Sequence, residues 1–208
     1  MTSEIRTDLI KDKSNTKTLA TLSSSAVTLD SSVVFPAGGT GNPISVAVIV
    51  DEKAYNVQGG NSASSAEQTR HLNTVIYDTE GSNGTVTIES DTVATGGHTS
   101  TYKFTIGAGT YLIEWSTPAF KVNRHYSILY DDTASSELAV SRTMYCESGD
   151  NTENICHGFW KVSPTSNNTY YIKEFTAAAQ SSSGLGMQLS HDSALKSYYT
   201  YVKITRIK

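Results

Sequence analysis

The fold can be predicted from one short stretch of the sequence, Phe104-Thr-Ile-Gly-Ala-Gly-Thr-Tyr-Leu-Ile-Glu-Trp115. Its first residues alternate apolar and polar side chains, as in a strand with one buried face. Gly107-Ala-Gly109 then provides a tight turn, because glycine adopts backbone conformations that other residues avoid. The residues after the turn again place three large apolar side chains on one face: Tyr111, Ile113 and Trp115. The stretch therefore predicts two strands separated by a turn.

The same pattern extends in both directions along the chain. Short runs of β-branched and aromatic residues alternate with Gly, Asn, Asp and Ser turns. We predict ten strands, at residues 44–50, 75–77, 85–89, 102–106, 109–115, 127–130, 138–145, 155–162, 169–175 and 198–207. Ser64-Ser-Ala-Glu67 matches a helix capping box, but its polar surroundings allow only a turn or two. Short strands at this spacing predict an all-β antiparallel sandwich of about ten strands.

The chain divides at a segment rich in Gly and Pro. Residues 1–42 are polar and irregular, and they end in Phe35-Pro-Ala-Gly-Gly-Thr-Gly-Asn-Pro43. Their apolar residues recur but are too sparse to form a core of their own. We therefore expect residues 1–42 to form an extended arm that orders against a partner or against the other copies of a trimer, with a flexible leader as the alternative. Residues 43–208 form the sandwich head.

Composition and charge exclude several classes of partner. The net charge is −4 at pH 7, from 16 Lys and Arg against 20 Asp and Glu. Without a basic patch, binding to nucleic acid is not expected. No apolar run approaches the roughly 20 residues of a membrane-spanning helix, so we expect no membrane insertion. The N-terminus lacks the apolar core of a secretion signal, which predicts synthesis in a cytoplasm.

The two cysteines, Cys146 and Cys156, flank a polar loop between two predicted strands. Their sulfurs could therefore face each other and form a disulfide. Synthesis in a cytoplasm favours the alternative of two reduced, partly buried thiols. A zinc site needs about four ligands, and His157 beside Cys156 is not enough to propose one.

No motif predicts catalysis. No two of the five histidines have the spacing of a metal-binding pair on a helix, and Ser190-His191-Asp192 lacks the nucleophile elbow of a hydrolase. Acidic pairs such as Asp131-Asp132 could supply paired carboxylates, which can catalyse glycoside hydrolysis. The acids Glu147, Asp150 and Glu153 are spaced as in some calcium loops. Solvated loops explain both groups more simply, so we expect no enzyme activity, cofactor or metal site.

Recognition by a sandwich usually resides in the loops that a rigid scaffold displays. The charged and polar residues that we expect to face a ligand are Arg124, His125, Asp131, Asp132 and Asp150.

Four stretches stand in a recognisable order. They are Ile44-Ser-Val-Ala-Val-Ile-Val50, residues 104–115, Phe159-Trp-Lys-Val-Ser-Pro-Thr-Ser-Asn-Asn-Thr-Tyr-Tyr-Ile-Lys173, and Tyr201-Val-Lys-Ile-Thr-Arg-Ile207. Together they resemble the C1q/TNF-like jelly roll over residues 44–208. The family's usual Gly-Asp turn is replaced here by Ser166-Asn-Asn168. The resemblance implies a jelly-roll sandwich whose strands line a threefold axis.

Large side chains on both faces of a strand also favour self-association. Residues 198–207 carry such side chains on both faces, and residues 109–115 place Leu112 opposite their aromatic face. We therefore expect a homotrimer, with a monomer carrying half-exposed tyrosines as the alternative. The residues expected at the trimer interface are Tyr111, Trp115, Tyr199 and Tyr201.

The N-terminal segment carries a second resemblance. Glu4-Ile-Arg-Thr-Asp-Leu-Ile-Lys-Asp-Lys-Ser-Asn15 and Val33-Val-Phe-Pro-Ala-Gly38 resemble the start of small bacteriophage virion proteins, especially fibre and appendage proteins of marine phages. This implies a virion protein that docks to other virion proteins through residues 1–42. The displayed head would attach to a glycan or protein of the host surface. The alternative is a capsid-decoration or tail and neck adaptor protein without receptor binding.

Overall fold

The structure, a computed structural model, describes residues 10–11, 18–22, 27–29, 45–79, 86–91, 100–188 and 194–207. The chain forms two units, Met1–Pro43 and Ile44–Lys208. In the first unit, β1 (Ile10–Lys11), β2 (Thr18–Leu22) and β3 (Val27–Leu29) pair as an antiparallel sheet. The role of this unit as a docking arm stays a prediction.

The second unit, here called the head, contains twelve strands in its described residues. They are β4 (Val46–Lys53), β5 (Ala66–Thr69), β6 (Thr74–Asp78), β7 (Val86–Asp91), β8 (Ser100–Ile106), β9 (Tyr111–Phe120), β10 (Asn123–Asp131), β11 (Ser136–Val140), β12 (Met144–Cys146), β13 (Glu153–Val162), β14 (Asn168–Thr176) and β15 (Ser197–Arg206). No helix occurs in the described parts of the chain. The predicted all-β fold is confirmed.

The strands form two antiparallel sheets. The first has the order β11-β10-β14-β8-β7, with β12 beside β10 and β5 beside β14. The second has the order β13-β9-β15-β4-β6. Neighbouring strands in each sheet are often far apart in sequence, as in the Greek-key connections of a jelly roll.

Two details differ from the sequence prediction. The segment at Ser64-Ser-Ala-Glu67 begins strand β5 after a turn, because Glu67 and its neighbours pair with β14 instead of starting a helix. The strand predicted at residues 138–145 is divided into β11 and β12, both paired with β10. Ser141 lies between them, and its hydroxyl accepts the Ser127 N–H at 2.8 Å, which closes the gap.

The apolar core lies between the two sheets. Strands β8 and β9, predicted from residues 104–115, belong to opposite sheets, so the turn between them crosses the sandwich. Gly109 in this turn has φ of 154°, and a Cβ there would lie 2.9 Å from the Tyr111 ring. Glycine is therefore required at this crossing. Core side chains include Phe104, Ile106, Tyr111, Ile113, Trp115, Leu129, Tyr170, Ile172, Val202 and Ile204.

Candidate functional site

A buried polar network joins the two sheets at one end of the sandwich. The Arg70 guanidinium, 1% exposed, donates to Glu174 Oε2 at 2.8 Å, to Thr200 Oγ1 at 2.8 Å and to the Leu185 carbonyl at 2.9 Å. Glu174 lies on β14 of the first sheet, and Thr200 lies on β15 of the second. Arg70 thus connects both sheets to the segment around Leu185, with its charge balanced by the carboxylate.

His125 extends this network. Its Nδ1 lies 2.9 Å from Glu174 Oε1 and 3.2 Å from Cys156 Sγ, and all three side chains are fully buried. The prediction that His125 faces a ligand is therefore wrong. His125 alternates with Ser127 and Leu129 on the inner face of β10, and all three are buried.

The thiol, imidazole and carboxylate are the groups of a nucleophilic triad, but the same nitrogen, His125 Nδ1, is closest to both Cys156 and Glu174, so they lack its geometry as well as its chemistry. Burial, together with the nearby Glu174 carboxylate, raises the pKa of Cys156 to about 12. Nucleophilic cysteines need a lowered pKa and access to substrate. The cluster therefore acts as a structural link between the sheets.

Both cysteines are free, buried thiols in the structure, so the reduced alternative applies instead of the disulfide. Burial also raises the pKa of Cys146. A pKa of about 12 leaves roughly one Cys156 thiol in ten thousand ionised at pH 8.

We therefore expect no reaction of the folded chain with a thiol-specific disulfide reagent at pH 8. Two thiols per chain should react once the chain is unfolded in guanidinium without reductant. A Ser148→Cys variant, with its thiol in an exposed loop, should react at once in the folded state and serves as the control. Fewer than two reactive thiols after unfolding would show a disulfide and contradict the structure.

Three of the four side chains expected at a trimer interface are buried inside one chain. Tyr111 and Trp115 are each 2% exposed in the core, and the Trp115 indole donates to Ser127 Oγ at 2.9 Å. Tyr199 is also buried, and its hydroxyl donates to the Val57 carbonyl at 2.6 Å. The core and the Val57 loop accommodate these rings without a second subunit, which corrects their assignment. Only Tyr201, 37% exposed, lies at the surface.

The outer face of the second sheet carries a different set of large side chains. Directly paired residues across four strand pairs form one row on this face: Phe159, Glu114, Lys203, Val48 and Tyr77. Phe159 is 73% exposed and Tyr77 is 55% exposed. In the middle of the row, Lys203 Nζ donates to Glu114 Oε2 at 2.9 Å. We call this row, together with Tyr201, the sheet face.

A second apolar surface lies on the other sheet. Val140 on β11 and Tyr145 on β12 are 58% and 57% exposed. Both strands pair with β10 at the margin of the first sheet. We call this pair the edge patch. The head thus presents two separate apolar surfaces, one on each sheet.

The expected ligand-facing residues do not come together as one site. Arg124 and Asp150 are exposed, and Asp132 forms an ion pair with Lys103 at 2.9 Å. Asp131 is different, because it is 8% exposed and lines a cleft of about 360 Å³. The cleft also contains Trp160 and Asn168, neither of which the sequence analysis singled out.

The arrangement of the described residues also bears on a metal site and on a membrane-spanning helix. Within the described ranges, no group of three His, Cys, Asp or Glu side chains is arranged so that it could hold a metal ion. Glu153, from the acidic loop, instead accepts the Met187 N–H. The described part of the chain contains no helix long and apolar enough to cross a membrane.

No protein-family model matches the sequence, and no curated protein matches it. Solved structures do resemble the head. The Eiger TNF of S. frugiperda matches with a TM-score of 0.50 and 10% identity, over 80% of this chain and 94% of that one. Murine APRIL at pH 5.0 matches with a TM-score of 0.47 and 10% identity, over 79% of this chain and 100% of that one. The globular domain of zebrafish complement 1qA matches with a TM-score of 0.40 and 10% identity, over 79% of this chain and 94% of that one. At these identities the likeness to Eiger shows the fold alone: the head is a C1q/TNF-like jelly roll.

Proposed function

We propose that the chain is a bacteriophage virion protein whose head assembles as a homotrimer, forming a fibre or spike displayed for attachment to the host surface. The sheet face is the observation that carries the proposal. Phe159 lies on β13, the outermost strand of the second sheet, and a Phe side chain that is 73% exposed there is costly unless another surface covers it. Burying such a side chain contributes about 1.5–3 kcal/mol.

The positions of the two apolar surfaces favour a ring over a twofold dimer. The sheet face lies on the second sheet, and the edge patch lies on the first. An interface between two different surfaces of the same chain is heterologous, and such an interface forms a closed ring when its rotation closes and an open filament when it does not. The family that the sequence resembles has a threefold axis, which favours three copies.

Light scattering during size-exclusion chromatography tests the trimer. At micromolar concentration, we expect the mass measured by light scattering to be three times the 22.4-kDa mass of one chain. Phe159→Glu replaces the most exposed apolar side chain of the sheet face by a charge and should raise the dissociation constant at least about 30-fold, as for an interface hot spot. The variant should therefore elute largely as a monomer.

The control for this substitution is Val57→Glu. Val57 is also an exposed apolar residue, at 44%, but it lies outside the sheet face and the edge patch. It should leave the trimer intact. A wild-type chain that is a monomer at micromolar concentration would contradict the proposal. So would a Phe159→Glu variant that stays trimeric while folded by circular dichroism.

The virion role rests on the resemblance of residues 1–42 to the start of phage appendage proteins. In this arrangement the N-terminal unit docks to other virion proteins. Three heads on one tip then gain avidity for a repeated surface ligand. A capsid-decoration or adaptor protein would form the same trimer without a receptor. Pull-down of host envelope fractions with the full-length trimer separates the two, because only the attachment protein retains host material.

A further inference from the structure

A cleft at one end of the sandwich has the composition of a small-molecule site. It has a volume of about 360 Å³ and lies where β10 ends, between the ends of β13 and β14. This volume lies within the usual range of about 300–1,000 Å³ for small-ligand sites. We propose that the cleft binds a neutral saccharide unit, which stacks on Trp160 and hydrogen-bonds to Asp131 and Asn168.

Trp160 provides an exposed ring at the wall of the cleft. It pairs with Ile113 across β13 and β9, so it lies on the core side of the sheet. Its neighbour on that side, Val162, is 7% exposed, whereas Trp160 is 46% exposed. Both residues lie on the outermost strand of the sheet, where the small Val162 side chain is covered and the larger Trp160 ring extends beyond the core. An aromatic face next to polar groups suits a ligand with one apolar and one polar side.

Asp131 provides a fixed acceptor beside this ring. Its Oδ1 accepts the Ala134 N–H at 2.8 Å, and its Oδ2 accepts the Asn168 side-chain amide at 2.8 Å. A carboxylate can accept about four hydrogen bonds, so two positions remain for a ligand. Because both oxygens are already held, binding a ligand requires little further ordering of the side chain.

The charges and hydroxyls of the cleft favour a neutral sugar over an acidic one. Asp131 gives the cleft a negative charge that would repel an acidic sugar, because the Lys161 side chain lies on the opposite face of β13 from Trp160. Backbone and hydroxyl groups of Ser163, Thr165 and Ser166 supply further polar contacts. Carboxylates form strong hydrogen bonds with hydroxyl donors, and the ring face of a hexose is apolar. This inference names the ligand class for the attachment role and rests on that proposed function for its biological setting.

Tryptophan fluorescence of the full-length protein tests the inference. Trp115 is buried, so acrylamide should quench Trp160 selectively. The probes are D-glucose, D-galactose, D-mannose, L-rhamnose and N-acetyl-D-glucosamine, with sorbitol as a polyol control. We expect at least one sugar to change Trp160 emission saturably, with a millimolar dissociation constant, and to protect the ring from acrylamide. Sorbitol should have no such effect.

Two substitutions locate the binding, measured by saturation-transfer NMR. Trp160→Ala removes the stacking surface of an exposed residue and should abolish binding of the sugar. Asp131→Asn should weaken it at least about tenfold, as for loss of a charge-assisted hydrogen bond. Asp150→Asn, in an exposed loop outside the cleft, is the matched control and should bind like the wild type.

Three outcomes would overturn the inference, and the oligomeric state of the protein can still be measured in each case. An acrylamide-accessible Trp160 that responds to none of the sugars shows that the cleft is not a saccharide site. A Trp160 that acrylamide cannot reach in the trimer shows that another subunit covers the cleft. An equal response to sorbitol shows non-specific binding. Failure of the proposed function appears separately, as a monomer in light scattering.

Discussion

Replacing Arg70 by Met is expected to lower the free energy of unfolding of the head by about 3–5 kcal/mol, the usual cost of removing one partner from a buried ion pair. The substitution leaves the fully buried Glu174 carboxylate without its cation. It also removes the donors to Thr200 and to the Leu185 carbonyl. Urea unfolding at pH 7 and fixed chain concentration measures the change, since the stability of an oligomer depends on concentration.

The partner substitution makes the result specific to the ion pair. Glu174→Gln should cost a similar amount, because it leaves the Arg70 charge buried without a counter-charge. The double variant Arg70→Met/Glu174→Gln should lose less than the sum of the two, since no uncompensated charge remains. Additive losses would show that the two side chains act independently.

The control is Lys196→Met, which breaks an exposed ion pair with Glu52. Exposed pairs contribute little, so the unfolding midpoint should not change measurably. If Arg70→Met shifts the midpoint no more than Lys196→Met does, the buried network is not what joins the two sheets.

Replacing Gly158 by Ala is expected to cost about 2–4 kcal/mol, combining overpacking with a lost hydrogen bond. Gly158 lies opposite Trp115 on the paired strands β13 and β9. An added Cβ would lie 2.1 Å from Trp115 Cζ2 and 2.3 Å from Cε2, far inside van der Waals contact. Because Trp115 is 2% exposed and bonded to Ser127, the ring cannot move without disturbing the core.

Thermal unfolding and near-ultraviolet circular dichroism measure this effect, because the dichroism reports the packing of the Trp115 ring. Adding Trp115→Phe should recover part of the stability lost in Gly158→Ala, since the smaller ring leaves room for the methyl group. Gly149→Ala is the control, because a Cβ there meets nothing within 4 Å. A Gly158→Ala variant as stable as the wild type would contradict the packing described here.

The strand pattern of the head could be predicted because each strand carries its own period-two signal. Residues 104–115 appear as the end of one strand and the start of the next, and residues 155–162 and 169–175 each appear as one strand, all close to their observed positions. It was harder to predict which side chains of a strand face the core where the alternation of inward and outward residues is interrupted. The pairing of β15 with β4 shifts register between Tyr198 and Tyr201, so counting alternate residues misplaces Tyr199. A bulge changes which side chains face inward, and its position depends on the partner strand.

The residues of the candidate sites likewise differ in whether the local sequence gives a signal for them. Asp131 could be selected from sequence as a charged residue in a loop region. Trp160 could not, because alternation alone places it on the core side with Val162, and only the tertiary structure shows that its larger ring extends beyond the core at an edge strand. Arg70 and Glu174 gave no signal, since they are 104 residues apart and meet only in the folded chain. The inward position of His125 could have been found from its alternation with Ser127 and Leu129.

By itself, the sequence determined an all-β head, the positions of most strands and the glycine turn at residues 107–109, because these follow from local alternation and backbone freedom. The tertiary structure alone decided that this turn crosses between sheets, that the aromatic rings of β9 fill one chain's own core, and that Phe159 and Trp160 stay exposed. Burial is a property of the neighbours that strand pairing brings together, and most of those neighbours are distant in sequence.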